Sequence, residues 1–286
     1  MPRSARATSI ALVLGSIVSV QSGAAAATTL FGRVGPAGAV LLRTVFAAVA
    51  LGLLWRPSVH GHSRRELRLV AGLGLALAAM NLSFYASLDR IPLGIAVTFE
   101  FVGPLGVAIA RSHRPGDLVW VGLAAAGIAL LSPGIGGSID ALGVGFALLA
   151  GVFWAAYILL AAGVGRAFER GDGLALAMAL SALVLVPGGI AGGGSELVDP
   201  AVLGVGIGVA LLSSAIPYSF ELEALRRLPE GTFGVLMSLE PAVAALLGYA
   251  FLGQSLAARE LVAIALVVVA SAGALGTAEA LAPVEA

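Results

Sequence analysis

The chain has no cysteine and no lysine. Without cysteine there can be no disulfides, no thiolate zinc site and no cysteine nucleophile. All sixteen basic residues are arginine and are balanced by sixteen acidic ones, so neither nucleic acid nor an acidic surface is suggested as a partner. Charge of either sign is scarce, at 11% of residues against roughly a quarter in a globular domain. Histidine is reduced to His60, His62 and His113, all in short polar segments. In their place stand 59% hydrophobic residues and a mean hydropathy of +1.02, the composition of a membrane protein.

A spanning helix needs about 20 mostly apolar residues, because lipid offers no partners to free backbone groups. Cutting at charged and Pro/Gly-rich breaks predicts ten spans, at 9–31, 36–55, 68–88, 91–110, 117–133, 139–163, 173–192, 201–224, 230–252 and 258–276. The N-terminus, with Arg3, Arg6, an apolar stretch and small residues, has the outline of a secretory signal. Its apolar run continues through Leu30 and Phe31, longer than a signal core of about 7–15 residues, which favours a retained first span. Twelve arginines (3, 6, 56, 64, 65, 68, 111, 114, 166, 170, 226 and 227) fall on one side of such a layout. Arg33, Arg90 and Arg259 fall on the other, and Arg43 lies within the second span. Cytoplasmic loops retain positive charge, so both termini are expected in the cytoplasm. Loops this short leave no room for a soluble catalytic domain, and function is to be sought among the intramembrane polar residues.

Two blocks repeat. In RIPLGIAVTFEFVGP, residues 90–104, and RLPEGTFGVLMSLEP, residues 227–241, Arg90, Pro92, Gly94 and Pro104 match Arg227, Pro229, Gly231 and Pro241 at a constant offset. Each block is followed by a pair that opens the last span of its half, Gly116-Asp117 and Gly253-Gln254. The simplest account is an all-α integral membrane protein of ten transmembrane helices. They would form two five-helix repeats, 9–134 and 139–276, followed by a cytoplasmic tail, 277–286. Five being odd, the second repeat is inverted, as in many secondary transporters, with the substrate site near the midplane between the halves.

The five-plus-five plan, NLSFYASLDRIPLGIAVTFEFVGP, GVFWAAYILL and RRLPEGTFGVLMSLEPAVAALLG resemble the EamA-type drug/metabolite transporters, and within them the threonine/homoserine exporters of bacterial inner membranes. The resemblance runs from about residue 9 to 276. It implies a multi-pass exporter of neutral amino acids in the bacterial inner membrane. The family's second repeat usually carries a Gly-Glu pair where this chain has Gly253-Gln254, which puts any role of that acid in question.

Glu100 falls near the middle of the fourth span, where an ionised carboxylate costs at least about 2.5–3.5 kcal/mol. Pro104, lacking an N–H, frees the carbonyl of Glu100 and is expected to kink the helix, setting two oxygens at one level to meet a proton or an ammonium. Glu240 falls near the middle of the ninth span with Pro241 as its kink, and aligns with Gly103 rather than Glu100, so the repeats differ in charge. Arg43 needs an anion: Glu100, Glu240 or a substrate carboxylate, for which its fork supplies matched donors. Asn81 and Tyr85, at i and i+4, share a face and with Tyr157 and Tyr218 are candidates to line a polar cavity. Glu221 is undecided, and Glu223 reads as a surface partner of Arg226 and Arg227. Gly15, Ser19, Ser22 and Gly23, and the run from Gly204 to Ser214, read as small-residue packing surfaces, not phosphate loops.

The leading function is a secondary exporter of small metabolites, with a proton antiported through Glu100 or with no coupling ion. No metal, cofactor or nucleic acid is implied. The rivals are an exporter of other amphiphilic metabolites or drugs, an intramembrane enzyme and a channel. A serine protease needs a buried histidine, and all three histidines lie in loops. An aspartyl dyad needs intramembrane aspartates, whereas Asp89, Asp117, Asp140, Asp172 and Asp199 lie at span ends or in loops. A channel filter is built from repeated rings of charges or carbonyls, which one unmatched pair of glutamates does not supply.

Overall fold

A computed structural model of the protein describes residues 3–111, 118–131, 139–168, 171–225 and 236–279. In the first half α1 spans Arg3–Thr28, α2 Phe31–Trp55, α3 Arg64–Leu88, α4 Leu93–Glu100, α5 Val102–Arg111 and α6 Leu118–Leu131. In the second, α7 spans Ala141–Ala167 and α8 Asp172–Gly193. A short 3₁₀ turn, Gly194–Val198, leads to α9, Pro200–Ala210, then a π-helical turn, Leu211–Ala215, and α10, Ile216–Leu225. Finally α11 spans Glu240–Leu252 and α12 Ala258–Glu279.

Local chemistry sets the starts. Ser63 and Glu66 form a reciprocal capping box on α3, which starts that helix four residues before the apolar run at 68. Asp140 accepts from the N–H groups of Leu142 and Gly143 at the head of α7, and Asp199 from those of Ala201 and Val202 at the head of α9, satisfying donors that the first turn cannot. Gly35, at φ 63°, interrupts α2 just before Pro36.

Among the described residues five helices are long and apolar enough to cross a membrane: Ala7–Thr28, Phe31–Trp55, Arg64–Leu88, Ala141–Ala167 and Asp172–Val198. Shorter apolar stretches run Leu93–Val107, Pro200–Ala215 and Glu240–Leu252. Leu53, Val152, Leu183, Leu246 and Phe251 are each more than 60% exposed, a surface suited to lipid rather than water.

Contacts between the halves dominate the interior. α2 packs on α8 and α9, α3 on α7 and α8, α4 on α11 and α7, α1 on α10 and α11, and α6 on α12. Several of these approaches are closed by glycine. A Cβ on Gly94 would lie 2.6 Å from Ala245 Cα, one on Gly74 2.7 Å from the Ala177 carbonyl, and one on Gly103 2.0 Å from the Gly151 carbonyl. With little hydrophobic driving force between helices in lipid, such close backbone packing carries association.

The halves are also tied through alternate chain connections. Arg33 pairs with Glu196 and, at 3.0 Å, with Asp199; Arg90 meets Asp140 at 3.0 Å; and the Leu93 N–H donates to Gln254 Oε1 at 3.0 Å. Gln254, the departure from the family pair, thus caps the first turn of α4 from the other half. On the opposite set of connections His62 lies against Phe168 with ring centroids 4.3 Å apart, and Gly171 abuts Trp55.

Candidate functional site

The two conspicuous glutamates both sit at helix breaks. Glu100, 8% exposed, is the last residue of α4, and Phe101 forms a turn before α5. The carbonyl of Glu100 lies against Gly151 of α7, so closely that a Cβ there would be 2.7 Å from it. Glu240, 4% exposed, is the first residue of α11 behind a turn at 238–239. Pro241, expected from the sequence to kink its span, occupies an early position of α11 directly after that turn, where its missing N–H costs nothing. Pro104 sits in the first turn of α5, one turn beyond the break.

Arg43 projects from α2 toward the π-helical turn. Its Nη2 donates to the Ser213 carbonyl at 3.1 Å, and its Cζ lies 5.6 Å from the centroid of the Tyr85 ring, within range of a cation–π contact. No carboxylate lies within ion-pairing distance of Arg43 among the described residues, although its field reaches Glu100. The reason this carbonyl is free is Pro217. Without an N–H it leaves unpaired both Ser213 O, its α-helical acceptor, and Leu212 O, its π-helical one. Arg43 takes the first and Ser19 Oγ of α1, at 2.7 Å, the second. The small stripe on α1 makes this approach feasible: Gly15 faces Phe220, and a Cβ on Gly23 would lie 2.2 Å from Ser213 Oγ.

Around this junction the hydroxyl groups of Tyr85, Ser213 and Ser214 are buried and have no hydrogen-bond partner. An orphan buried polar group costs about 1–3 kcal/mol, so three together are a substantial departure from a well-satisfied interior.

Of the other sequence candidates, Asn81 is buried and its Nδ2 donates to Leu77 O at 2.8 Å within its own helix. Tyr157 packs on the core of Leu73, Leu77 and Met178, apart from the core that contains Tyr85. The side chains of Tyr218 and Glu223, and the repeat positions Arg227, Pro229 and Gly231, lie outside what the structure describes. Glu221, left undecided by the sequence, accepts a hydrogen bond from the buried Ser16 of α1, and its field and that of Glu100 both reach Glu240. One basic and three acidic groups therefore share an interior neighbourhood. The sequence signals that could have found the π-turn and Glu221 are Pro217 and the helical spacing of Ser16 and Ser19 on α1. Among the described residues no three His, Cys, Asp or Glu side chains converge to hold a metal.

Such a site offers a cation beside a ring, a carboxylate within its field and unfilled hydroxyl groups, the complements of a small zwitterion. Comparison with known proteins agrees with that chemistry. Residues 141–276 match the EamA-like transporter family. The Threonine/homoserine exporter RhtA of Salmonella typhimurium (strain LT2) and that of Escherichia coli (strain K12) are each 40% identical over 268 residues, 92% of this chain and 90% of theirs. A protein of known crystal structure superposes with a TM-score of 0.66 at 18% identity, over 96% of this chain and 99% of that one, a likeness of fold.

Proposed function

This chain belongs to the EamA-like transporter family, and we propose that it exports small neutral amino acids such as threonine and homoserine by alternating access in the bacterial inner membrane. The observation that carries this reading is the 40% identity, sustained over 92% of the chain, to threonine/homoserine exporters. The chemistry of the interior supports it: Arg43 for a substrate carboxylate and Glu100 for its ammonium. A carboxylate that holds ammonium in one state and a proton in the other couples export to the proton gradient.

The architecture we propose is ten spans in two inverted repeats, 9–134 and 139–276, with both termini and the tail 277–286 in the cytoplasm. Three features support it. The breaks at Phe101 and Ser238 fall at the same offset as the sequence repeat. The contacts come in pairs that an inverted two-fold would exchange, α3 on α7 with α10 on α1, and α4 on α7 with α11 on α1. The arginine-rich connections alternate with arginine-poor ones. On this reading Arg33–Asp199, Arg90–Asp140 and Leu93–Gln254 close the outer face, and rocking of one repeat against the other parts them to release substrate.

The test is counterflow in proteoliposomes. Unlabelled threonine loaded inside should stimulate saturable uptake of labelled threonine. Uptake that neither saturates nor responds to internal threonine sinks the exporter reading, and a reporter fused after Ala286 that reads external sinks the topology.

A further inference from the structure

Tyr85, Ser213 and Ser214 are 0%, 2% and 1% exposed, and the hydroxyl group of each is without a partner. All three belong to one junction. Arg43 lies over the Tyr85 ring and bonds the backbone of Ser213, to which Ser214 is the next residue. Backbone geometry holds the arrangement, because Pro217 keeps the turn π-helical and Ile216 N–H reaches back to Leu211 O. The Ser213 hydroxyl faces bare backbone at Gly23 of α1, so no side chain from that helix competes for it. Unpartnered buried hydroxyl groups also occur at Ser87 and Ser181; these three are set apart by their place beside Arg43, where alanine and phenylalanine would fill the same space without orphan polar atoms.

We propose that these three hydroxyl groups form a subsite that reads a hydroxyl on the substrate's side chain, beside an Arg43 that holds the carboxylate. The protein then selects hydroxylated amino acids over apolar ones of the same shape. The inference rests on the amino-acid export reading and adds to it the residues that set specificity. A site built to hydrogen-bond a hydroxyl rejects the analogue lacking it, because the buried polar groups are then left unpaired, whereas an apolar pocket discriminates weakly against an added hydroxyl. Threonine and valine are the matched probes, differing by hydroxyl for methyl.

The experiment is competition in the counterflow assay, with labelled threonine as reporter and unlabelled threonine or valine as competitor, for the wild type, Ser213→Ala/Ser214→Ala and Tyr85→Phe. For the wild type, threonine should compete at least roughly tenfold more strongly than valine, and the double alanine variant should bring that ratio toward one. Tyr85→Phe should lower it in the same direction. Thermal unfolding in detergent separates recognition from folding: removal of orphan hydroxyl groups should leave the melting temperature unchanged or raised. A wild type that takes valine as well as threonine overturns the inference and leaves the exporter reading intact. So does a ratio unchanged in both variants. Absence of any amino-acid counterflow overturns both.

Discussion

Gly103→Ala is the most direct probe of how the two halves fit together, because the added methyl would meet backbone rather than a side chain that can turn away. It would lie 2.0 Å from the Gly151 carbonyl oxygen and 2.7 Å from its carbon. Ordinary contact begins near 3.4 Å, so α5 and α7 must part by about 1.4 Å along that line. Overpacking of this kind costs about 1–3 kcal/mol, and two rigid backbones place it toward the upper end. At roughly 2–4 °C per kcal/mol for a chain of 150–250 residues, melting in detergent should fall by roughly 5–10 °C. Gly106→Ala, on the same helix, is the control: nothing lies within 4 Å of its Cβ, and alanine gains about 0.8–1.0 kcal/mol in helix propensity, so its melting temperature should hold or rise. Gly151 in turn lies against the Glu100 carbonyl. The displacement therefore reaches the acid, and threonine counterflow by Gly103→Ala should drop even below its melting temperature. If Gly103→Ala and Gly106→Ala melt together, the close approach of α5 and α7 is wrong.

Other expectations follow from the interior charges and from the ion pairs that tie the chain connections. Arg43→Gln should weaken threonine transport by roughly tenfold to a hundredfold, the worth of a charged hydrogen bond of about 1.5–3 kcal/mol, and weaken transport of an amine lacking a carboxylate less; equal losses in a side-by-side flux assay would mean a structural role. Glu100→Gln should remove the response of threonine flux to an imposed pH gradient while retaining exchange, whereas Glu240→Gln should change rate or affinity and keep the response; if only the latter goes silent, the two roles are reversed. Asp199 is held below the usual carboxylate range first by Arg33 and then by the N–H groups of Val202 and Ala201, so its contribution is present above its unfolded value of about 3.9 and is lost as pH falls through the lower folded one. Asp199→Asn, which keeps a cap and loses the charge, should therefore melt below the wild type at pH 7, with the gap closing at pH values under about 4; a gap independent of pH would refute the ion-pair account.

Much of this was legible because lipid imposes one periodicity on the chain. Five of the apolar segments cut at charges and Pro/Gly breaks fall on helices long and apolar enough to cross a membrane, and the acidic caps Asp140 and Asp199 stand where two of the segments begin; 91–110 is split at Phe101 and 201–224 contains a π-turn. The start of α3 was missed by four residues because the charged turn Arg64–Leu67 was counted as loop, whereas Ser63 and Glu66 together nucleate helix there. Spacing put Asn81 and Tyr85 on one face, yet it could not say that the Asn81 amide is spent on Leu77 O within its own helix. The π-turn was the larger omission. Pro217 was visible, but the carbonyl groups it frees are capped by Arg43 and Ser19 from two other helices, and a partnership across about 170–190 residues has no local signature.

The breaks in the two repeats leave their acids in opposite electrostatic settings. Glu100 ends α4, next to carbonyl groups that carry the negative end of a helix dipole, and Pro104 withholds the N–H that would have neutralised its own carbonyl oxygen. An anion there needs a cation close by, and Arg43, a substrate ammonium and a proton are the three on offer. Glu240 begins α11, but Pro241 has no N–H to offer it and those of Ala242 and Val243 are taken by the Leu239 carbonyl, while Glu100 and Glu221 both extend their fields to it. Two breaks at the offset of the sequence repeat therefore leave one acid within the field of a cation and the other within the fields of two acids. In the proton-coupled cycle proposed above, that inequality assigns the exchange of ammonium for proton to Glu100, the acid within the field of Arg43, rather than to Glu240; a response to the pH gradient that survives in Glu100→Gln would sink the assignment.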